Sequence, residues 1–181
     1  MNFKLWLTLA LMLFVSQTGR ANEEPSAFTA IGSFSNMRFT QEHQYGSEIQ
    51  LWREGANLLG FFFHSDGGLT GDTPAGLIEN VTYNPATGMI SFVSKLTIGQ
   101  HFCKVHQDIP SRDSFTFQGK LSNSSLSGVL KRADGLHPEN PPMAEEVTLK
   151  RMGAENQPLY STRASWDAAS KQILKFRGPR W

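Results

Sequence analysis

Two histidines and the only cysteine of the chain lie within six residues, at His101, Cys103 and His106. Imidazole nitrogen and thiolate sulfur are ligands of zinc and copper, so these three side chains are the candidate metal site. Their spacing matches no standard zinc motif, because His106 reaches the other two only if the chain turns. Cys103 beside either histidine also suits a thiol nucleophile with its base. The alternative is that these are loop histidines beside one small buried thiol, with no role in metal binding or catalysis.

A second group of candidate residues consists mainly of phenylalanines, which give the strongest apolar signal in the mature chain. Three of them follow one another from Phe61 to Phe63, and His64 comes next as a polar group suited to the mouth of a barrel. Aromatic side chains on both faces of one strand imply that one set lines the interior and the other set needs cover. Core packing is the alternative to ligand binding for all of these rings. The candidate ligand-binding residues are Phe61, Phe63, His64, Phe92, Phe115 and Phe117.

These candidates belong to a chain of 181 residues whose first 21 have the pattern of a secretory signal peptide. Lys4 precedes an apolar run from Leu5 to Val15, which is too short to span a bilayer, and small residues flank Arg20. We therefore expect cleavage after Ala21, no stable membrane span afterwards, and a periplasmic or secreted protein, with a bacterial source favoured. The predicted domains are a signal peptide at 1–21, a barrel domain at 22–160 and a helical segment at 161–181.

Composition restricts the function of the mature chain. The 160 residues after the signal fit one domain with a substantial core. They carry 15 basic and 16 acidic residues, since Lys4 and Arg20 leave with the signal, and this balance gives no nucleic-acid footprint. One cysteine cannot form an internal disulfide, so packing must hold the fold together. We expect no cofactor, and no complete catalytic constellation can be assigned.

Short segments with period-two alternation, separated by turn residues, predict an all-β fold. The segment Ser47–Glu54 has one apolar face and one wet face, and Trp52 falls on the wet face. Segment Leu58–His64 is apolar on both faces, which predicts a central strand. The eight predicted strands are Gly32–Phe39, Ser47–Glu54, Leu58–His64, Leu77–Tyr83, Met89–Leu96, Ser114–Leu121, Leu126–Lys131 and Glu146–Met152.

Glycines inside these segments indicate how the strands are arranged. Gly60, Gly119 and Gly128 predict sharp bends or close backbone approach, as closing a barrel requires. Eight strands suit a barrel that is filled by side chains or holds one small ligand. We therefore predict an antiparallel up-and-down barrel, with a β-sandwich as the alternative. The connection from Ile98 to Arg112, which holds Cys103, is the predicted functional loop.

The C-terminal segment changes to helical spacing. Trp166, Ala169, Ile173 and Phe176 recur on one face, and Ser165 is the predicted N-cap. The stripe predicts an amphipathic helix that covers the barrel; a partner-binding or membrane-surface helix is the alternative.

The signal, the run of about eight strands and the final helix together resemble a small calycin-type, lipocalin-like barrel over residues 30 to 176. At the first strand, Gly32-Ser33-Phe34 stands where lipocalins have Gly-x-Trp. The resemblance implies a cavity for a small, often apolar molecule.

Three functions follow as hypotheses. The first is an exported, non-enzymatic protein that binds a small or lipid-like ligand in the barrel. The second is a cell-envelope module with a filled barrel and a protein partner. The third is an enzyme or metal-binding protein that uses the Cys103 segment.

Overall fold

The computed structural model of the chain describes residues 27–69, 73–98, 100–101, 109–156 and 160–176. Nine antiparallel strands in these residues form a nearly closed barrel, followed by one C-terminal helix. The elements are β1 (Phe28–Ser35), β2 (Arg38–Phe39), β3 (His43–Glu54), β4 (Asn57–Leu69), β5 (Ala75–Leu77), β6 (Glu79–Tyr83), β7 (Met89–Leu96), β8 (Gln100–His101), β9 (Ile109–Pro110), β10 (Asp113–Leu121), β11 (Ser125–Asp134), β12 (Met143–Arg151), a 3-10 turn (Ala154–Asn156) and α1 (Arg163–Phe176).

Most strands that follow one another along the chain are also neighbours in the sheet. Their order is β5-β4-β3-β1-β12-β11-β10-β7-β6, with β2 paired to β3 outside this path, and β8 and β9 pair separately. The first and last long strands, β1 and β12, pair with each other, as Phe34 with Arg151 and Ser35 with Lys150. This pairing confirms the up-and-down barrel and decides against two separate sheets.

The eight predicted segments correspond to the nine strands of the barrel because one predicted segment is divided into two strands. The predicted strand Leu77–Tyr83 becomes β5 and β6, which Ile78 separates. β5 pairs with β4, whereas β6 pairs with β7, so one stretch of chain closes the barrel by changing partners. Closure brings β5 against β7: a Cβ added at Gly76 would lie 2.6 Å from Ser94 Oγ and 2.7 Å from the Lys95 carbonyl oxygen.

Other boundaries also differ from the predicted ones. The predicted first strand, Gly32–Phe39, is interrupted after Ser35, whose hydroxyl oxygen accepts a hydrogen bond of 3.0 Å from the Met37 amide. That local bond competes with the sheet ladder and starts a turn. β4 continues to Leu69, past the predicted end at His64, because it pairs with β3 as far as His43.

Sixteen apolar side chains pack together inside the barrel. All but Ile78, which lies between β5 and β6, come from the inward-facing positions of their strands, as the period of two requires. Strand pairing places Gly119 opposite Gly128, and an added Cβ at either position would collide with the backbone of the other strand. The predicted close approach at these glycines is confirmed. The interior residues are Phe34, Ile49, Leu51, Leu58, Phe62, Ile78, Ile90, Phe92, Leu96, Phe115, Phe117, Leu121, Leu126, Leu130, Val147 and Leu149.

Helix α1 covers the outer face of β3 and β4, as its apolar stripe predicted. Trp166 stacks on Phe61 with 5.3 Å between ring centroids and meets Trp52 edge-on at 6.5 Å. The assignment of Trp52 to a wet face is wrong: this residue is 0% exposed, and its indole N–H donates to the Tyr160 carbonyl oxygen at 2.8 Å. The alternation identified correctly which face of β3 points outward, but tertiary packing buries the part of that face that contains Trp52.

The helix begins one turn earlier than its predicted cap. Thr162 is the N-cap: its hydroxyl oxygen accepts from the Ser165 amide at 3.2 Å, and Ser165 Oγ accepts from the Thr162 amide at 3.3 Å. This reciprocal pair has the geometry of a capping box with serine at its fourth position. The prediction of Ser165 as N-cap is therefore wrong, since Ser165 lies inside the first turn.

Candidate functional site

A pocket of about 320 Å³ opens at the end of the barrel where β12 begins. We call it the mouth pocket. Apolar atoms of Phe115 and Leu130 belong both to this pocket and to the packed interior, so the pocket lies directly on the core. Its lining residues are His64, Asp66, Phe115, Leu130, Arg132, Met143, Ala144 and Glu145.

Strand alternation explains why polar groups gather at this end. His64 comes two residues after Phe62, and Arg132 comes two residues after Leu130, so each continues the inward face of its strand. In the same way, Ser47, Asp113 and Glu145 lie two residues before the interior residues Ile49, Phe115 and Val147. The inward face of five strands therefore changes from apolar to polar at one level of the barrel.

Arg132 links two carboxylates across the mouth. Its Nε donates to Asp113 Oδ1 at 3.0 Å, and its Nη1 lies 3.4 Å from Asp66 Oδ2. The Asp113 side chain is only 1% exposed, and its Oδ2 has no hydrogen-bond partner in the described part of the chain. A buried carboxylate depends on its cation, because losing the partner leaves an uncompensated charge. Arg132 thus supplies the cationic partner of the buried Asp113 carboxylate inside the barrel.

His64 lies beside this ion pair in the neutral form. Its Nδ1 is 2.9 Å from Ser47 Oγ, and its ring centroid is 4.7 Å from that of Phe115. Burial lowers the pKa of His64 to about 4, and Arg132 adds to the effect, while Asp66 and Asp113 act in the opposite direction. The mouth therefore holds one cationic and three anionic side chains, counting Glu145, around a neutral imidazole at neutral pH.

Acidification is expected to destabilise the fold through His64. In the unfolded chain the imidazole of His64 binds a proton with a pKa of 6.5, whereas in the folded protein its pKa is about 4. Protons therefore favour the unfolded state in this window, and the free energy of unfolding should fall by roughly 3 kcal/mol between pH 6.5 and 4 on this account. Urea unfolding across the window, in native protein and in His64→Gln, measures the effect.

The His64→Gln variant should lose much of this pH dependence, since glutamine does not titrate. Substitution of the exposed His137 by glutamine is the matched control and should keep the native slope. An unchanged slope in His64→Gln would show that another group causes the loss of stability.

The predicted ligand-binding residues divide between two faces of the barrel wall. Phe92, Phe115 and Phe117 lie inside, joined by Phe62, while Phe61 belongs to the cluster under α1 and Phe63 packs against it. The six residues therefore do not line one site. Of the six, His64 and Phe115 line the mouth pocket. The expected cover of the outer phenylalanine by the Trp166 helix is present.

The predicted metal site lies largely outside the described residues. His101 ends β8, and Cys103 and His106 fall in the gap between 101 and 109. Elsewhere in the described ranges, no group of three or more histidine, cysteine or acidic side chains is placed to hold a metal ion. The metal and nucleophile hypotheses for this segment stay predictions.

Sequence reasoning missed most of the mouth. It placed His64 at the mouth of a barrel but assigned no role there to Asp113, Arg132, Glu145 or Asp66. Extending each predicted strand by two residues beyond its outermost inward-facing apolar residue finds the first three. In sequence, a polar residue at such a position looks like the end of a strand. Only the folded structure shows that these polar residues lie at the same level of the barrel and form one site.

The fold and this mouth define the class of the protein: an antiparallel up-and-down barrel with an apolar packed interior, a polar pocket at one end and a single C-terminal helix. No protein-family model, curated protein or solved structure matches the chain significantly. In the described ranges, no helix combines the length and the apolar character that spanning a membrane requires.

Proposed function

We propose that this protein is exported and, without catalysing a reaction, binds a small amphipathic molecule in the mouth pocket. One observation carries the proposal: a pocket of about 320 Å³ joins an apolar floor to a ring of charged side chains. Small-molecule sites in proteins combine these two features at volumes from about 300 Å³ upward. The signal-like pattern of residues 1–21 supports export.

The charges of the mouth favour a ligand with a cationic group. Arg132 is already paired with Asp113 and contacts Asp66, so its charge is compensated within the protein. Glu145 adds a carboxylate that has no ion-pair partner among the described residues, and His64 is neutral. A ligand amine gains attraction from this surplus, whereas a ligand carboxylate is repelled.

The apolar part of such a ligand would rest on the floor of the pocket. Phe115 and Leu130 are held in place by the interior cluster, and Met143 is 65% exposed at the rim. Burying exposed apolar surface supplies the affinity, while the carboxylates orient the charged end. The proposed ligand class is therefore a small hydrophobic amine.

Titration with benzylamine, followed by amide NMR shifts, tests this site. We expect shifts around the mouth pocket, with phenylacetate of opposite charge binding more weakly. Glu145→Gln should weaken benzylamine binding about fivefold, which corresponds to about 1 kcal/mol for one solvent-accessible charge. Glu146→Gln is the matched control, because Glu146 is exposed and adjacent but does not line the pocket.

Equal effects of the two glutamine variants, or no shifts at the mouth, would contradict the proposal. Native mass spectrometry of the purified protein, compared with its mass after denaturation, then identifies a ligand carried from the producing cells. An adduct of a few hundred daltons lost on denaturation agrees with the amphipathic ligand.

A protein-interaction role is the second candidate function. It is favoured by the packed interior and by two exposed apolar side chains, Phe39 at 63% and Leu69 at 66% exposure. Both flank the start of β3, since Phe39 pairs with Gln44 and Leu69 pairs with His43. A protein without adduct and without probe binding at the mouth would leave this candidate as the better one.

A further inference from the structure

A second depression lies at the other end of the barrel, where β3 and β12 end. It measures about 580 Å³ and is bounded by the β6–β7 turn, the β10–β11 turn and the start of β1. We call it the basal cleft. Its lining residues are Thr29, Ala30, Ile31, Arg53, Tyr83, Pro85, Ala86, Thr87, Gly88, Lys120, Leu121, Ser122, Asn123 and Arg151.

The basal cleft is cationic, in contrast to the mouth pocket. Arg53, Lys120 and Arg151 line it, and its lining contains no aspartate or glutamate. The acid that follows Arg53 in sequence, Glu54, is held by an ion pair with Arg163 of the helix. Three positive charges therefore share one concave surface without a carboxylate among the residues that form it.

Arg151 is fixed in orientation by neutral partners. Its Nη1 donates to the Ile31 carbonyl oxygen at 2.6 Å, its Nε donates to the Asn123 carbonyl oxygen, and its Cζ lies 4.7 Å from the Phe34 ring centroid. These contacts hold the guanidinium without neutralising its charge. A guanidinium has five N–H donors, so donors remain for a ligand. Arg53 and Lys120, both exposed, can approach the same ligand from their own strands.

We propose that the basal cleft binds the phosphate group of an organic ligand. Arginine and lysine charges bind phosphate oxygens through charge-assisted hydrogen bonds, and a pre-oriented guanidinium loses little freedom on binding. Hydroxyl groups of Thr29 and Thr87 add neutral donors, while Ile31 and Leu121 offer apolar contact to the organic part. This site shares no lining residue with the mouth pocket and stands independently of the function proposed there.

Calorimetric titration with phenyl phosphate and with inorganic phosphate tests the inference. We expect phenyl phosphate to bind, and benzoate, which has the same ring but one negative charge, to bind more weakly. The double variant Arg53→Gln/Lys120→Gln should weaken phenyl phosphate binding at least about tenfold. Its control, Lys131→Gln/Lys171→Gln, removes the same charge from exposed positions outside the cleft and should bind as the native protein does.

A second arm of the experiment distinguishes a soluble ligand from a lipid headgroup. Cosedimentation with phosphatidylglycerol vesicles that depends on Arg53 and Lys120, with phosphatidylcholine vesicles as reference, indicates a phospholipid headgroup. Binding of phenyl phosphate without vesicle binding indicates a soluble phosphate ester. Absence of both, or an equal loss in the charge-matched control, overturns the proposal. Glu145→Gln should leave phenyl phosphate binding unchanged, which keeps this test separate from that of the mouth pocket.

Discussion

Replacing Gly119 by valine is expected to lower the free energy of unfolding by about 4 kcal/mol or more, among the largest effects of a single substitution. An added Cβ would overlap the Ser127 carbonyl oxygen and lie 2.8 Å from Gly128 Cα and 2.7 Å from Phe117 Cζ. Two of these three atoms belong to the backbone of β11, so a side-chain rotation cannot relieve the overlap. The strands must separate, and the ladder on which barrel closure depends is disturbed.

Thermal and urea unfolding measure this effect. For a domain of this size, we expect the melting temperature to fall by about 10 °C or more. Gln118→Val is the matched control, because it places the same residue one position earlier, on the exposed outer face, where β-branched side chains suit a strand. Equal stability of Gly119→Val and Gln118→Val would mean that β10 and β11 do not approach as closely as the structure shows.

Replacing Trp166 by alanine should destabilise the protein by about 4 kcal/mol, the range of buried Trp-to-Ala substitutions. Trp166 is 7% exposed and stacks on Phe61 with an interplanar angle of 6°. The same cluster contains the fully buried Trp52. Removing the indole leaves a cavity between the helix and the barrel and lets water reach two aromatic residues.

Two further variants separate ring packing from other effects of this substitution. Trp166→Phe should recover much of the stability, because the indole Nε1 is buried without a hydrogen-bond partner among the described residues. Leu174→Ala, on the same helix and 44% exposed, should change the unfolding midpoint little. A midpoint for Trp166→Ala close to that of Leu174→Ala would contradict the docking of α1 as an essential part of the fold.

Local pattern was sufficient for most of the strand map, but not for the short strands β8 and β9, which lie inside the predicted loop from Ile98 to Arg112. Alternation located all eight segments, and mid-strand glycines at 119 and 128 indicated the close approach that strand pairing confirms. The fourth segment illustrates the limit of this reasoning. Its residues read as one strand, but its two halves pair with different neighbours, and Ile78 between them keeps its bond to the Gly60 carbonyl oxygen at 3.0 Å.

Errors arose where cover from distant parts of the chain decides burial. Trp52 has glutamate and glutamine as neighbours on its face, yet Tyr160 and Trp166, more than 100 positions later, bury it. Phe61 and Phe62 look alike in sequence, but Phe61 packs under the helix and Phe62 packs in the interior. Where both faces of a strand are apolar, a period of two separates the faces without saying which one is inside.

The sequence by itself determined the all-β class, the strand segments, the C-terminal helix and its apolar stripe, because these depend on contacts between near neighbours in the chain. Tertiary structure alone decided which of the two apolar faces of β4 turns inward and how Arg132 meets Asp113 and Asp66. It also decided that three cations meet at the basal cleft. Both charge clusters draw residues from strands far apart in sequence, and barrel closure sets their distances, which no local periodicity encodes.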